Sequence, residues 1–436
     1  MIKKIEMSVV TMLTSMYFFP FEFSFLPGVN TKMMLAGIGL ILLLFNLAHG
    51  RMSGNLNGDL IRLSVVAMVI SLISFASITI NGTYDNTFVY FVVSMWVWLG
   101  GAYLVTRLMK ALHGYLNVEL VCNYLVAVCV GQCVAAFSMD QIPALKSMVD
   151  SFLGSSGFMG KVDGRIYGIG ASLDVAGMRF ASVLLIIAFL SINAKVVEWR
   201  KEICYVASFF IIVSVGCMIG RTTTIGAVIA LTYWGITLLI GKGKQRQQCR
   251  RIFFILGAML VAFTPVVVYF YKTNPNLNYN IRFAFEGFFS LVEKGRWETH
   301  STNILRNMYV FPNSVKTWLI GDGYFDNPEI DPHYIGYRWK GFYQGTDVGY
   351  LRFIFYAGIG CAVAFVIYMF NVAYVCMLRF KGYALLFFGI LVLNYIVWFK
   401  VSSDLFPVFA AFLCITSNDI IEADVIDSKR MALKQS

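Results

Sequence analysis

The chain has 436 residues, of which 58% are hydrophobic and only 14% are charged. Its mean hydropathy is +0.70, whereas about a quarter of the residues of a soluble domain are charged. These values exclude a soluble globular protein and predict a protein embedded in a membrane.

Twelve apolar segments are long enough to cross a bilayer as helices, which takes about 20 mostly apolar residues. They are predicted at 6–26, 32–48, 61–80, 87–106, 116–137, 177–193, 203–219, 222–240, 252–271, 347–378, 383–399 and 403–420. All are interpreted as helices, because open strands cannot satisfy their backbone hydrogen bonds in lipid. The tenth segment is too long for one straight span, so it is expected to extend past the membrane or to break. The predicted fold class is all-α, a polytopic membrane protein with about twelve transmembrane helices.

Lysine and arginine are concentrated in alternate connecting segments. The connecting segments that are rich in lysine and arginine, called the basic set, lie at 3–4, 51–62, 107–110, 195–201, 242–251, 379–381 and 429–434. The positive-inside rule, which counts the lysines and arginines of short loops, places this set on the cytoplasmic side. Both termini are therefore predicted to be cytoplasmic, and much of the net charge of +11 reflects topology rather than binding to nucleic acid.

The predicted organisation has three parts. Residues 1–271 hold nine spans with a medium outer loop at 138–176, 272–346 form one large outer loop, and 347–436 hold the last three spans and a cytoplasmic tail. The large loop is rich in aromatic and basic residues, and its apolar patterns at 281–289 and 303–308 are typical of short interfacial helices. A chain that keeps most outer connections short is expected to do its chemistry near this loop.

Four arginines are predicted at the outer ends of the spans: Arg165, Arg179, Arg221 and Arg352. A charged side chain at the bilayer centre costs about 2.5–3.5 kcal/mol on insertion scales. Arg221 therefore either serves a function or extends to the phosphate headgroups, and both interpretations remain open. Because the planar guanidinium binds phosphate oxygens in pairs, the set predicts a polyvalent anion as ligand, such as a lipid-linked pyrophosphate.

Asp347 begins the tenth span and is a candidate catalytic carboxylate. It lies five residues before Arg352, a spacing at which two side chains do not share a helix face well. Both could still pair with other groups, for example Asp347 with Arg221.

His300 and His333 are the histidines of the large loop, and either could act as a general base near neutral pH. We favour His300, because Arg306 follows six residues later and could share its surface. The alternative is that each is an ordinary surface residue.

Several motifs of known enzymes are absent from the sequence. There is no H-E-x-x-H, no G-x-S-x-G, no Walker loop and no Asp-x-Asp pair in the outer loops, which argues against a metal-dependent transferase that uses nucleotide sugars. All nine cysteines fall in predicted spans or cytoplasmic loops, so neither an external disulfide nor a cysteine metal site is expected.

Three motifs together resemble the O-antigen polymerases of the Wzy type. They are the pattern 318–324 followed by 345–352 and a glycine-containing span, the turn at 220–224, and the segment 164–168. The turn is also similar to that of the related O-antigen ligases. The resemblance covers the whole topology but only a handful of motif residues.

The resemblance implies a GT-C-like enzyme of the bacterial inner membrane that acts in lipopolysaccharide biosynthesis. It would join oligosaccharide repeat units carried on undecaprenyl pyrophosphate at the periplasmic face, with no cofactor and no metal. Arg165, Arg221, Arg352 and Arg306 would bind the pyrophosphate, and His300 or Asp347 would position or deprotonate the acceptor hydroxyl. Its partners would be the lipid-linked glycan, membrane lipid and a chain-length regulator protein.

Two alternatives share much of this pattern. One is an O-antigen ligase, which transfers finished glycan to lipid A-core. The other is a flippase for lipid-linked oligosaccharides, although no internal repeat of the kind common in transporters is visible.

Overall fold

The computed structural model describes residues 2–49, 54–153, 165–193, 199–329, 341–423 and 425–426. Within these ranges the protein is all-helical, with two isolated β-bridges and no strand. The helices are α1 (Ile2–Phe18), α2 (Thr31–Ala48), α3 (Gly54–Asn81), α4 (Phe91–His113), α5 (Val118–Gln141), α6 (Pro143–Phe152), α7 (Leu173–Asn193), α8 (Trp199–Ile219), α9 (Thr223–Ile240), α10 (Lys244–Thr273), α11 (Pro275–Ala284), α12 (Glu286–Lys294), α13 (His300–Asn307), α14 (Val315–Leu319), α15 (Gly349–Arg379), α16 (Ala384–Val397), α17 (Phe406–Leu413) and α18 (Ser417–Ala423).

In the described part of the chain, nine helices are long and apolar enough to span a membrane, and they correspond to the second through tenth predicted segments. The predicted all-α, membrane-embedded class is therefore confirmed, whereas the number twelve remains a prediction. The first segment is helical only to Phe18, short of the predicted end at residue 26. The eleventh is a short apolar helix, and the twelfth is the pair α17 and α18, bent by 70°.

The large loop is helical in most of its described part. The predicted pattern at 281–289 is divided between α11 and α12, because Phe285 leaves the helical conformation with a ψ of 26°. The pattern at 303–308 lies almost wholly within α13. The expectation of short helices in this segment is therefore confirmed.

The chain folds into two compact units, each built from separate stretches of sequence. Unit 1 comprises 1–18, 29–121 and 300–436, and unit 2 comprises 19–28 and 122–299.

In unit 2 the central element is α7. Nearly all of its apolar stretch is buried, and it packs against α8, α9 and α10. The α7–α9 contact is close because Gly226 faces the backbone of Ala181, where any Cβ would overlap it. Small residues at crossings allow this approach where lipid supplies no hydrophobic drive for helices to associate. By contrast, α10 has only 6% of its apolar stretch buried, so its surface is open to lipid.

In unit 1 the long helix α15 is broken near its beginning. Ala357 and Gly358 leave the helical conformation, and Gly358 has φ 76° and ψ 178°, a region that is essentially restricted to glycine. A Cβ at Gly358 would also collide with the carbonyl of Leu319. Of the two outcomes expected for the long tenth segment, the break is the one observed.

The break leaves the carbonyls of Phe355 and Tyr356 without hydrogen-bond donors in their own helix. The Gly321–Asp322–Gly323 segment provides these donors. The amide of Asp322 donates to the Phe355 carbonyl at 2.6 Å, and the amide of Gly323 donates to the Tyr356 carbonyl at 3.1 Å. The side chains of α3 and the residues after it hold this segment in turn, with Asn81 donating to the Gly321 carbonyl at 3.1 Å and Thr83 to that of Gly323 at 2.9 Å. The end of the large loop is thereby fixed to α15.

Replacing Gly358 with alanine is expected to destabilise unit 1. The new Cβ would collide with a backbone carbonyl and hold a backbone conformation that costs on the order of 1–3 kcal/mol. Gly360→Ala, on the same helix with open space around its Cα, is the matched control. Thermal unfolding of the purified protein in detergent should show a lower Tm for Gly358→Ala only, and equal values for the two variants would contradict this account of the break.

Candidate functional sites

Within unit 2, Arg165 and Arg221 are brought together by one aromatic ring. The guanidinium carbon of Arg165 lies 4.8 Å from the centre of the Phe283 ring, and that of Arg221 lies 4.2 Å from it. Both distances are within the range of a cation–π contact. We call Arg165, Arg221 and Phe283 the arginine pair site.

Local structure explains how each arginine reaches the ring. Arg221 occupies the turn between α8 and α9, and the neighbouring Thr222 donates its hydroxyl hydrogen to the carboxylate of Asp174 in the first turn of α7. Phe283 is carried by α11, which packs against the end of α10. The site therefore joins segments that lie far apart in the sequence but within one unit.

The electrostatics of the arginine pair site favour an added anion. The pKa of Arg165 is lowered, chiefly by burial and also by the positive charge of Arg221, while Asp174 opposes the shift. Arg221 forms an ion pair with Glu286 and is 14% exposed. Among the described residues Arg165 makes no hydrogen bond or ion pair, so its five N–H donors remain available to an oxyanion.

Within unit 1, Arg352 is enclosed by a second group of residues. Its guanidinium donates to the Asp326 carboxylate at 2.7 Å, and it lies 3.7 Å from the Asp347 carboxylate. Further bonds reach the Phe325 carbonyl at 2.9 Å and the Ser402 hydroxyl at 3.0 Å. We call this group the Arg352 cluster.

The Arg352 side chain is only 6% exposed. It also lies over the rings of Phe325 and Phe342, 3.4 Å and 4.7 Å from their centres. An incoming phosphate would have to displace carboxylates that already neutralise the charge, which is costly for a buried ion. The geometry therefore favours Arg352 as a residue that positions Asp347 and the end of the large loop.

The ion pair between Arg352 and Asp347 differs from the sequence interpretation. That interpretation treated 347–352 as one helix, in which the two side chains would diverge. In the structure α15 begins at Gly349 with Val348 as its N-terminal cap, so Asp347 precedes the helix and can turn toward Arg352. Asp347 is 20% exposed and remains accessible to a substrate hydroxyl.

His300 and Arg306 both lie on α13 and are both exposed. Six residues correspond to about 240° around a helix axis, so the two side chains leave the helix on different sides. The far end of α13 packs through Leu305 against the cluster of Val348, Leu351 and Phe355 at the start of α15. His333 lies outside the described residues.

Arg179 lies in unit 2, as does the arginine pair site, but it is buried within α7, 5.7 Å from the Phe19 ring centre. Of the four predicted arginines, the structure thus brings together Arg165 and Arg221, while Arg352 belongs to unit 1. Sequence analysis missed Phe283, Glu286 and Asp174. Only the apolar pattern at 281–289 singled out that neighbourhood, and it carried no information on pairing.

Within the described residues, no group of three or more His, Cys, Asp or Glu side chains is placed to hold a metal ion. Comparison of the chain with models of known protein families, with curated proteins and with solved structures gave no match.

Proposed function

We propose that this protein is an O-antigen polymerase of the Wzy type, a GT-C-like glycosyltransferase that joins oligosaccharide repeat units linked to undecaprenyl pyrophosphate. The observation that carries the proposal is the arginine pair site, in a protein of which only 14% of the residues are charged. Two guanidiniums on one aromatic ring, of which one makes no ion pair among the described residues, suit a ligand with two adjacent phosphates.

The reaction needs no cofactor in this proposal. The acceptor hydroxyl oxygen forms a bond to the anomeric carbon of the donor glycan, and the bond from that carbon to the pyrophosphate oxygen breaks. Arg165 and Arg221 stabilise the charge that develops on the leaving pyrophosphate, a contribution that is large where water is excluded. A base takes the proton of the acceptor hydroxyl, and the resemblance assigns this role to Asp347 or His300, which belong to unit 1.

The Arg352 cluster supports the role of Asp347. A general base must be accessible and held in one position, and Arg352 holds this carboxylate at the start of α15. Arg306 and Arg352, which the resemblance also assigns to the pyrophosphate, take supporting roles in this proposal. Arg306 is exposed on α13. Arg352 is 6% exposed and contacts two carboxylates, whereas Arg221 is 14% exposed and pairs with one.

The orientation belongs to the same proposal. Both termini face the cytoplasm of the bacterial inner membrane, and the segment 272–346 faces the periplasm, as the distribution of lysine and arginine favours. A chain-length regulator protein is the proposed protein partner.

Deleting the gene is expected to leave lipid A-core that carries a single repeat unit, because ligation continues while polymerisation stops. The measurement is gel electrophoresis of lipopolysaccharide from the deletion strain, with the plasmid-borne gene as control. Bare core would favour a ligase or a flippase, and unchanged long ladders would exclude all three functions.

Replacing Arg221 with alanine is expected to abolish long ladders while the protein level is kept, since one of the two phosphate ligands is lost. Arg282→Ala is the matched control. Arg282 is also in unit 2, lies over the Phe289 ring at 4.8 Å and pairs with Glu293 at 2.7 Å, but it is 43% exposed. Ladders should survive in the control, and full ladders in both Arg221→Ala and Arg221→Lys would refute the role of the arginine pair site.

A further inference from the structure

Helix α6 has no buried residue, and only Leu145 and Val149 are half-buried. Beside them, the exposed residues Lys146 and Asp150 contact Tyr167. The Tyr167 hydroxyl donates to both carboxylate oxygens of Asp150, at 2.8 Å and 2.9 Å, and the Lys146 ammonium lies 5.2 Å from the Tyr167 ring centre. Tyr167 itself is buried. The side of α6 that packs on the protein therefore combines Leu145 and Val149 with the contacts of Lys146 and Asp150 to Tyr167.

The opposite face of α6 is apolar and faces outward. Ala144, Met148 and Phe152 follow one another at intervals of four residues and so share one side of the helix. Met148 is 55% exposed and Phe152 is 58% exposed. In water this arrangement would be unfavourable, since apolar side chains gain free energy only when they are removed from solvent.

A second segment, which is exposed at 24–28, is attached to the end of α6. Residues 19–28 pair with it through the bridge between Phe23 and Leu153 and through the Ser24 amide, which donates to the Phe152 carbonyl at 2.9 Å. Phe23 and Phe25 stack with ring centres 5.0 Å apart, and Phe25 is 71% exposed. The apolar surface of α6 therefore continues onto these aromatic rings.

Lipid is the occupant that the chain connectivity supports. Only Ile142 separates α6 from the spanning helix α5, and Pro143 begins the new helix. Residues 19–28 follow directly on the apolar helix α1. Aromatic residues and amphipathic helices next to spans are typical of the boundary between headgroups and acyl chains.

We propose that α6 and residues 19–28 form a membrane-interface anchor, which lies along the bilayer surface with Phe25, Met148 and Phe152 inserted among the acyl chains. Side chains of such elements reach about 5–10 Å into the bilayer. The anchor does not depend on the function proposed above.

The anchor also has a consequence for the arginine pair site. Tyr167, which holds α6, lies two residues after Arg165, and the same segment is fixed by Gln132, which donates to the Ile169 carbonyl at 2.8 Å. The anchor thus sets the height of Arg165 relative to the lipid surface. A ligand at that residue would be one whose charged group lies at headgroup level.

Spin-label accessibility can test the anchor without any assay of activity. Of the nine cysteines only Cys204 is exposed, so the full-length Cys204→Ser protein is the background for single labels. Met148→Cys and Phe152→Cys place a label on the apolar face, and Ser147→Cys is the control, since it is exposed and about 100° around the helix from Met148. Each variant is reconstituted in nanodiscs of phosphatidylethanolamine and phosphatidylglycerol.

The measured quantity is the ratio of collisions with molecular oxygen, which concentrates in acyl chains, to collisions with a water-soluble nickel complex. This ratio should be several-fold higher for the labels at 148 and 152 than for the label at 147. High nickel accessibility at 148 and 152 would place this face in water and overturn the proposal. Low accessibility to both reagents would show a protein surface covering it and would also overturn the proposal. All three positions are exposed in the structure, so the substitutions leave packing intact.

Discussion

The rule that governs this structure is that a backbone amide or carbonyl inside a membrane must find its hydrogen-bond partner within the protein. An unbroken helix satisfies this rule with its own backbone hydrogen bonds. The broken helix α15 cannot, because the turn at Ala357 and Gly358 frees the carbonyls of Phe355 and Tyr356. The Gly321–Gly323 segment donates to both, so backbone hydrogen bonds join the end of the large loop to the helix after it.

That coupling explains why the Arg352 cluster can exist. A buried guanidinium is expensive unless several acceptors surround it, and Asp326, Phe325 and Asp347 lie on the two chain segments that the break joins. Arg352 in turn neutralises both carboxylates. The arginine pair site of unit 2 differs in kind, because Arg165 gains its contact from an aromatic ring and leaves its donors available. The Arg352 cluster is suited to holding the chain in place, and the arginine pair site is suited to binding an anion.

The sequence predicted the helices well, because a span is a local property that depends on about 20 consecutive residues. It also predicted that four arginines lie at the outer ends of the spans, and of these the structure places Arg165 and Arg221 on one aromatic ring. The sequence did not predict the ion pairs. Glu286 is 65 residues from Arg221, and no local pattern encodes such a contact. Asp347 was misjudged because the start of α15 lies two residues later than assumed, and helix ends are the least certain feature of sequence-based assignment.

The orientation of α6 shows a further limit of reasoning from amphipathic patterns. In water an apolar face indicates the side that packs on the protein, but next to a bilayer lipid can bury that face equally well. In α6 the half-buried apolar residues Leu145 and Val149 pack on the protein, while Met148 and Phe152 remain exposed. The Tyr167 hydroxyl donates to Asp150 and so helps to hold the helix in this orientation. The apolar pattern of the sequence alone does not tell which of these side chains pack on the protein and which the proposed anchor turns toward lipid.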